Sequence, residues 1–212
     1  MREIFYQNKV LIPSKVVCIG RNYVEHIEEL GNEVPENMVV FNKPNSAISG
    51  TLTNFDTHTR FEGEICFLIM GGQITGVGFG LDLTHADIQN KLKAKGLPWE
   101  RAKAFDGSAV LSDFVPLEVP LESLEMKLYR NDTLVQFANY DLMMYKPSVM
   151  VEEIKNFMHL EDGDVIMSGT PKGVSTYSVG DVFHGQVFSA GELLVEQEWV
   201  VEEKKAYNEP KF

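Results

Sequence analysis

The chemistry in this 212-residue chain is densest between Arg60 and Asp82. Glu62 and Glu64 are two apart, so on a strand both carboxylates leave the same face. The residues after them, Ile65 to Met70, form a continuous apolar run of the kind a strand covered on both faces requires. Two acids at the mouth of a buried strand repel each other and lose hydration unless a positive partner offsets both. Asp82 ends a second run, GFGLD, and adds a third carboxylate. Three convergent carboxylate oxygens are a ligand set for a hard divalent cation, Mg2+ or Mn2+, with positions left for water and substrate. Taken alone, Glu-x-Glu is usually a solvated strand face.

A second pair lies upstream. The stretch Asn22 to Leu30 favours helix and stops at Gly31-Asn32, which places His26 and Glu29, three apart, on one face. A carboxylate that holds one imidazole nitrogen fixes the tautomer and raises the basicity of the other, which makes a general base. An ordinary surface pair has the same spacing. The polar segment from Gly31 to Asn37 reads as a lid. Lys43, in a Lys43-Pro44-Asn45 turn, is expected on an exposed loop within reach of an anionic ligand, and Lys103 reads as an oxyanion partner or a rim charge. Ser168, Thr170 and Lys172 fall on a glycine- and proline-bounded loop whose exposed amides and hydroxyl would suit a carboxylate. His58, His159 and His184 lack carboxylate or ligand-like neighbours and are given no role.

The elements that must position these groups can be read in order. Lys15 to Gly20 is a short buried strand. Thr84 with Asp87 resembles a capping box that opens a helix ending at Gly96, with Asp82 just before it and Gln89 in its early turns. Met126 to Phe137 is a hairpin turning at Asn131-Asp132, with clear alternation and no chemistry of its own. Ser148 is expected to cap a helix through Met158, with Met150, Val151, Ile154, Phe157 and Met158 as its apolar stripe. Two alternating strands then close the sheet, and Lys204 to Phe212 reads as a frayed tail. Many short strands, at most three helices and glycine-rich turns define one α+β domain, residues 1–212, dominated by mixed β-sheet.

Composition narrows the partners. Nineteen basic against 31 acidic residues give a net charge of −12, which disfavours nucleic acid and anionic membrane surfaces. A small anionic ligand stays compatible, because a metal ion and a few lysines reverse the field inside a cleft. Cys18 and Cys66 sit in apolar runs and read as small core residues rather than a disulfide framework. The start of the chain lacks a signal-peptide pattern, and no apolar run approaches the length of a membrane span, so a cytoplasmic protein is expected.

Taken together, GRNYVEH, FNKP, FEGEICFLIMG, GFGLDLTHADIQ, KGLPWERAKAFD and EDGDVIMSGTPKGV resemble, in order and spacing, the fumarylacetoacetate hydrolase superfamily. The likeness is to its short single-domain branch of acylpyruvate hydrolases, oxaloacetate decarboxylases and tautomerases, and isomerases of aromatic-acid catabolism. The resemblance implies a mixed β-sheet or β-roll fold, a homodimer and a small anionic 2-oxo acid as substrate. It makes Glu62, Glu64 and Asp82 the Mg2+ or Mn2+ ligands and His26, Glu29 and Lys103 the catalytic groups. Gln89 and Thr170 become substrate contacts, with Arg21 and Lys43 bordering the pocket. Two positions depart from the pattern: Ile19 stands where larger members have a fourth acidic ligand, and Ala86, preceded by His85, stands where many short members have arginine. The activity implied first is metal-dependent hydrolysis of a carbon-carbon bond in a 3-acylpyruvate. Oxaloacetate decarboxylation, keto-enol tautomerisation and isomerisation of 2-hydroxyhepta-2,4-diene-1,7-dioate are alternatives. A non-catalytic metal- or anion-binding β-protein is the competing class.

Overall fold

The computed structural model describes residues 1–25 and 36–204. His26 and Glu29, the rest of the helix expected after Glu25, most of the lid segment and the tail beyond Lys204 lie outside the described residues. An N-terminal hairpin pairs Ile4–Tyr6 with Lys9–Leu11. The elements that build the site follow in chain order: β1 (Lys15–Gly20), β2 (Val39–Pro44), β3 (Ile48–Ser49), β4 (Thr59–Phe61), β5 (Gly63–Met70), β6 (Gln73–Asp82), α1 (Ala86–Ala94), α2 (Glu100–Lys103) and β7 (Ala109–Leu111). Then come β8 (Leu124–Arg130), β9 (Thr133–Asn139), α3 (Pro147–Lys155), β10 (Val165–Met167), β11 (Val182–Ser189) and β12 (Glu192–Val200).

The larger sheet runs β2-β1-β10-β5-β6-β7-β3. Its β1–β10 and β3–β7 pairs are parallel and the others antiparallel, so the sheet is mixed, as expected of the α+β class. A second, antiparallel sheet, β9-β8-β11-β12, packs across one face. The period of two explains how β5 serves two cores. Ile65, Phe67 and Ile69 join Phe79, Leu128, Phe183 and Trp199 between the sheets, while Cys66 and Leu68 join Val16, Cys18, Phe114 and Met167 on the opposite face. Glu64 belongs by parity to the Cys66 face. On β6 the alternate glycines of that face are steric necessities: a Cβ at Gly80 would lie 2.6 Å from the Cys66 sulfur, and one at Gly78 2.9 Å from the Phe114 ring. Both cysteines are free and buried. Among the described residues, no helix is long and apolar enough to cross a membrane.

Several local expectations are corrected. Thr84 does not cap α1: His85 holds the cap position without a side-chain bond, and the Thr84 hydroxyl turns to Glu62 at 2.6 Å. Ser148 does not cap α3 either, because Pro147 fits the first helical position and moves the cap to Lys146. Helix α3 ends at Lys155, and Phe157 is 59% exposed, so the stripe is shorter than its sequence pattern. His58, His159 and His184 do have carboxylate neighbours, Asp87, Glu161 and Glu196, but on exposed surface, where such pairs contribute little.

The parallel β1–β10 contact is anchored by Asp164, whose side chain is fully buried. Its Oδ1 accepts from the Ser14 N–H (2.9 Å), the Ser14 hydroxyl (2.8 Å) and the Lys15 N–H (3.1 Å). Its Oδ2 accepts from Lys15 Nζ (2.5 Å) and the Glu161 N–H (2.9 Å). Burial pushes this carboxyl up, but the hydrogen bonds, led by that from Lys15, outweigh it and hold Asp164 below the usual carboxylate range. A carboxyl lowered on folding contributes stability above its unfolded pKa of about 3.9, and loses it as pH falls through the folded value. Asp164→Asn is therefore expected to cost about 2–4 kcal/mol at neutral pH. The gap to wild type should narrow in acid, which denaturant melts over a pH series would read.

Candidate metal centre

Three carboxylates come together where β5 begins and β6 ends. Glu62 precedes β5, Glu64 is its second residue and Asp82 is the last of β6, and the Asp82 N–H bonds the Glu62 carbonyl at 2.9 Å. Each offers an oxygen within 4.8 Å of the others. Glu64 and Asp82 are buried and Glu62 half-buried. The triad expected from sequence is thus one cluster, not a solvated strand face.

Two buried lysines face it. Lys103 Nζ, at the end of α2, lies 3.0 Å from both Glu62 carboxylate oxygens and 2.6 Å from Asp82 Oδ2. Burial alone would push the ammonium down; the charges of Asp82 and Glu62 outweigh it and raise Lys103 above the usual lysine range, which favours its charged form. Lys43 is 0% exposed, which overturns its expected place on an exposed loop. Its ammonium stands 2.7 Å from Asp82 Oδ1 and donates to the carbonyls of Leu83 (3.2 Å) and Lys103. Strand parity explains this: Lys43 pairs with Val16 on β1 and turns inward under the sheet.

The loop after β10 closes the other side. The Gly169 N–H donates to Glu64 Oε2 at 2.6 Å, so the carboxylate this loop holds is the protein's own. The Thr170 hydroxyl, expected to face substrate, is buried and donates to the Gly63 carbonyl at 2.9 Å. It also accepts from Gln136 Nε2 at 2.8 Å, while Gln136 Oε1 accepts from the Gly63 N–H at 2.8 Å. Gln136, on a hairpin read as chemically empty, therefore ties the start of β5 to this loop. Its one signal in sequence is a polar side chain at an inward position of an alternating strand. Asn22 was likewise missed as a clamp. It does not begin the helix but is buried, bonding Ser168 O (2.8 Å), Tyr145 O (3.1 Å) and the Tyr145 N–H (2.7 Å). Arg21 precedes it with φ of 57°, in the left-handed region. Gln89 is half-buried on α1 and, among the described residues, makes no side-chain hydrogen bond with the triad.

The residues fit a hard divalent cation. Burial first, then the charges of Asp82 and Glu62, push the Glu64 carboxyl up, against the opposing Gly169 N–H and Lys103. Asp82 Oδ1 is buried without a hydrogen bond in spite of its close ammonium neighbour. The donor set is all carboxylate, and its oxygens converge within 4.8 Å of one another.

A mixed sheet carrying a carboxylate triad and two counter-lysines at the ends of its central strands is a fold with a candidate cation site. The chain belongs to the fumarylacetoacetate hydrolase family: the family's fumarylacetoacetate (FAA) hydrolase C-terminal profile matches residues 15–199. The oxaloacetate tautomerase YcgM of Escherichia coli (strain K12) is 36% identical over 187 residues, covering 79% of this chain and 85% of the relative. The mitochondrial oxaloacetate decarboxylase of Dictyostelium discoideum is 34% identical, covering 84% and 88%. The crystal structure of fumarylpyruvate hydrolase from Pseudomonas aeruginosa, in complex with Mn2+ and pyruvate, superposes with a TM-score of 0.85 at 25% identity, covering 96% of each chain.

Proposed function

We propose that the chain is a Mg2+- or Mn2+-dependent enzyme acting on a short 2-oxo acid, with keto-enol tautomerisation of oxaloacetate as its reaction. The observation that carries this reading is the triad of Glu62, Glu64 and Asp82 held against the buried ammonium of Lys103. The oxaloacetate tautomerase at 36% identity supports the choice of substrate. A bound divalent ion supplies Lewis-acid stabilisation of charge on the 2-oxo oxygen, worth several kcal/mol. Glu62, Glu64 and Asp82 would hold the ion, and Lys103 would add a positive charge beside it that needs no reorganisation during reaction. In this proposal His26, the general base that the resemblance implies together with Glu29, takes the proton from C3 as the C3–H bond breaks and delivers it to the 2-oxo oxygen, giving the enol. The reverse transfer regenerates the ketone, so proton and charge balance without a further reactant.

A second reading is favoured by the fumarylpyruvate hydrolase fold match. Here His26 takes a proton from water, which attacks the distal carbonyl of a 3-acylpyruvate, and cleavage gives pyruvate and a carboxylic acid. One assay separates the two. The enol absorbance of oxaloacetate and the release of pyruvate from an acylpyruvate are followed with Mn2+, with a chelator and in His26→Ala. Tautomerisation predicts an enol decay that the chelator abolishes and that His26→Ala slows by roughly a hundredfold or more. Decay at the buffer rate beside rapid pyruvate release from the acylpyruvate would transfer the assignment to hydrolysis.

A further inference from the structure

Beyond the two lysines bonded to the triad, further cations surround it. Lys93, on α1, is half-buried, with its ammonium 5.2 Å from the centroid of the Trp99 ring. Trp99 packs on Phe41 at 5.8 Å, and Phe41 lies 5.1 Å below Lys103 Nζ, so aromatic rings connect the two ammonium groups. Phe41, Trp99 and Lys103 line one cavity of about 480 Å³ between β2 and the α1–α2 turn. Arg60 stands opposite Thr84 in the β4 register and two residues before Glu62, and Thr84 bonds Glu62. Arg60 therefore borders the same acids.

These cations are not neutralised as Lys43 and Lys103 are. Among the described residues, neither Lys93 nor Arg60 has a salt bridge or a side-chain hydrogen bond. Burial, then repulsion by Arg21 and Lys103 and more weakly by Arg60, pushes the Lys93 ammonium down, with Glu62 opposing. In a chain of net charge −12, collecting like charges at one half-buried place raises the free energy unless an anion joins them. On the proposed function the triad would anchor one end of a substrate, and these side chains stand beside it.

We infer that Lys93, together with Arg60, forms an anion subsite for the far carboxylate of a 2-oxo dicarboxylate, making Lys93 a specificity-determining residue. This rests on the reading of the triad as the anchor for the 2-oxo end. The ring beneath Lys93 limits its wandering, and partial burial strengthens its pairing with a carboxylate.

The test uses two non-reacting 2-hydroxy acids that share a chelating end: malate, which has a far carboxylate, and lactate, which lacks one. Calorimetric titration of the Mn2+-loaded protein is expected to show malate binding roughly tenfold to a hundredfold tighter than lactate. Lys93→Met should bring malate down to the lactate level with lactate unchanged, and Lys93→Arg should restore most of the preference. A malate preference retained in Lys93→Met and in the Arg60→Met double variant would overturn the subsite. So would equal, Mn2+-dependent binding of both anions by wild type. Failure of the anchor looks different: neither anion then binds in an Mn2+-dependent way, which removes both readings together.

Discussion

Lys103→Met is expected to abolish turnover and to make the stability of the fold depend on added Mn2+. The ammonium contacts Glu62 and Asp82 within 3.0 Å and is almost fully buried, so its loss leaves carboxylates facing each other, with Lys43 still beside Asp82. Breaking a buried charge pair by removing one partner costs about 3–5 kcal/mol, because the other charge stays behind unpaired. A divalent cation would replace the missing charge, so Mn2+ should raise the melting temperature more in the variant than in wild type. Activity does not return with the metal, since loss of a preorganised stabilising group costs roughly a hundredfold to a thousandfold. Melting curves with and without Mn2+, followed by rates at saturating metal, read the two effects separately. An unchanged metal-free melting temperature would show that Lys103 is not the counter-charge of the acids.

The largest purely steric effect is expected at Gly173, just beyond the loop that holds Glu64. Its φ is 102°, and a Cβ there would sit 2.1 Å from the Val135 carbonyl oxygen and 3.2 Å from Gln136 Cγ. Backbone and Gln136 both resist, so Gly173→Ala must push the loop away from β9. That move breaks the Gln136 bonds to Thr170 and the Pro171 carbonyl and draws Gly169 from Glu64. A cost of about 3–5 kcal/mol follows from backbone strain plus overpacking. Mn2+ affinity should fall with it. Gly180→Ala is the control: φ is 87° but nothing lies within 4 Å, so only the strain of about 1–2 kcal/mol remains. Equal losses in the two variants would mean that the loop moves freely and does not position the acid.

What sequence conveyed and what it hid divide along the length scale of the interactions. Glu62 and Glu64 were legible as a pair because strand parity is local, and Asp82 because it ends the strand paired with theirs. The Asn131-Asp132 turn was legible because its left-handed backbone, φ of 48° and 62°, suits those residue types. The helix caps were misread: Thr84 found a stronger acceptor in Glu62, and Pro147 displaced Ser148. Lys43, Gln136 and Asn22 were hidden for another reason. Their partners lie 40, 34 and 146 residues away, and no local pattern reports that. The burial of Lys43 in particular inverts the usual expectation for a lysine beside a turn.

The tie between Gly169 and Glu64 spans 105 residues, whereas Lys103 and Asp82 are 21 apart. Early in synthesis, then, a ribosome-bound chain can bring acid and first lysine together long before the closing amide exists. The acids are left with incomplete electrostatic relief until the carboxy-terminal third docks. The clustered acids and lysine act as a register lock, in which mispaired strands strand a charge and are disfavoured.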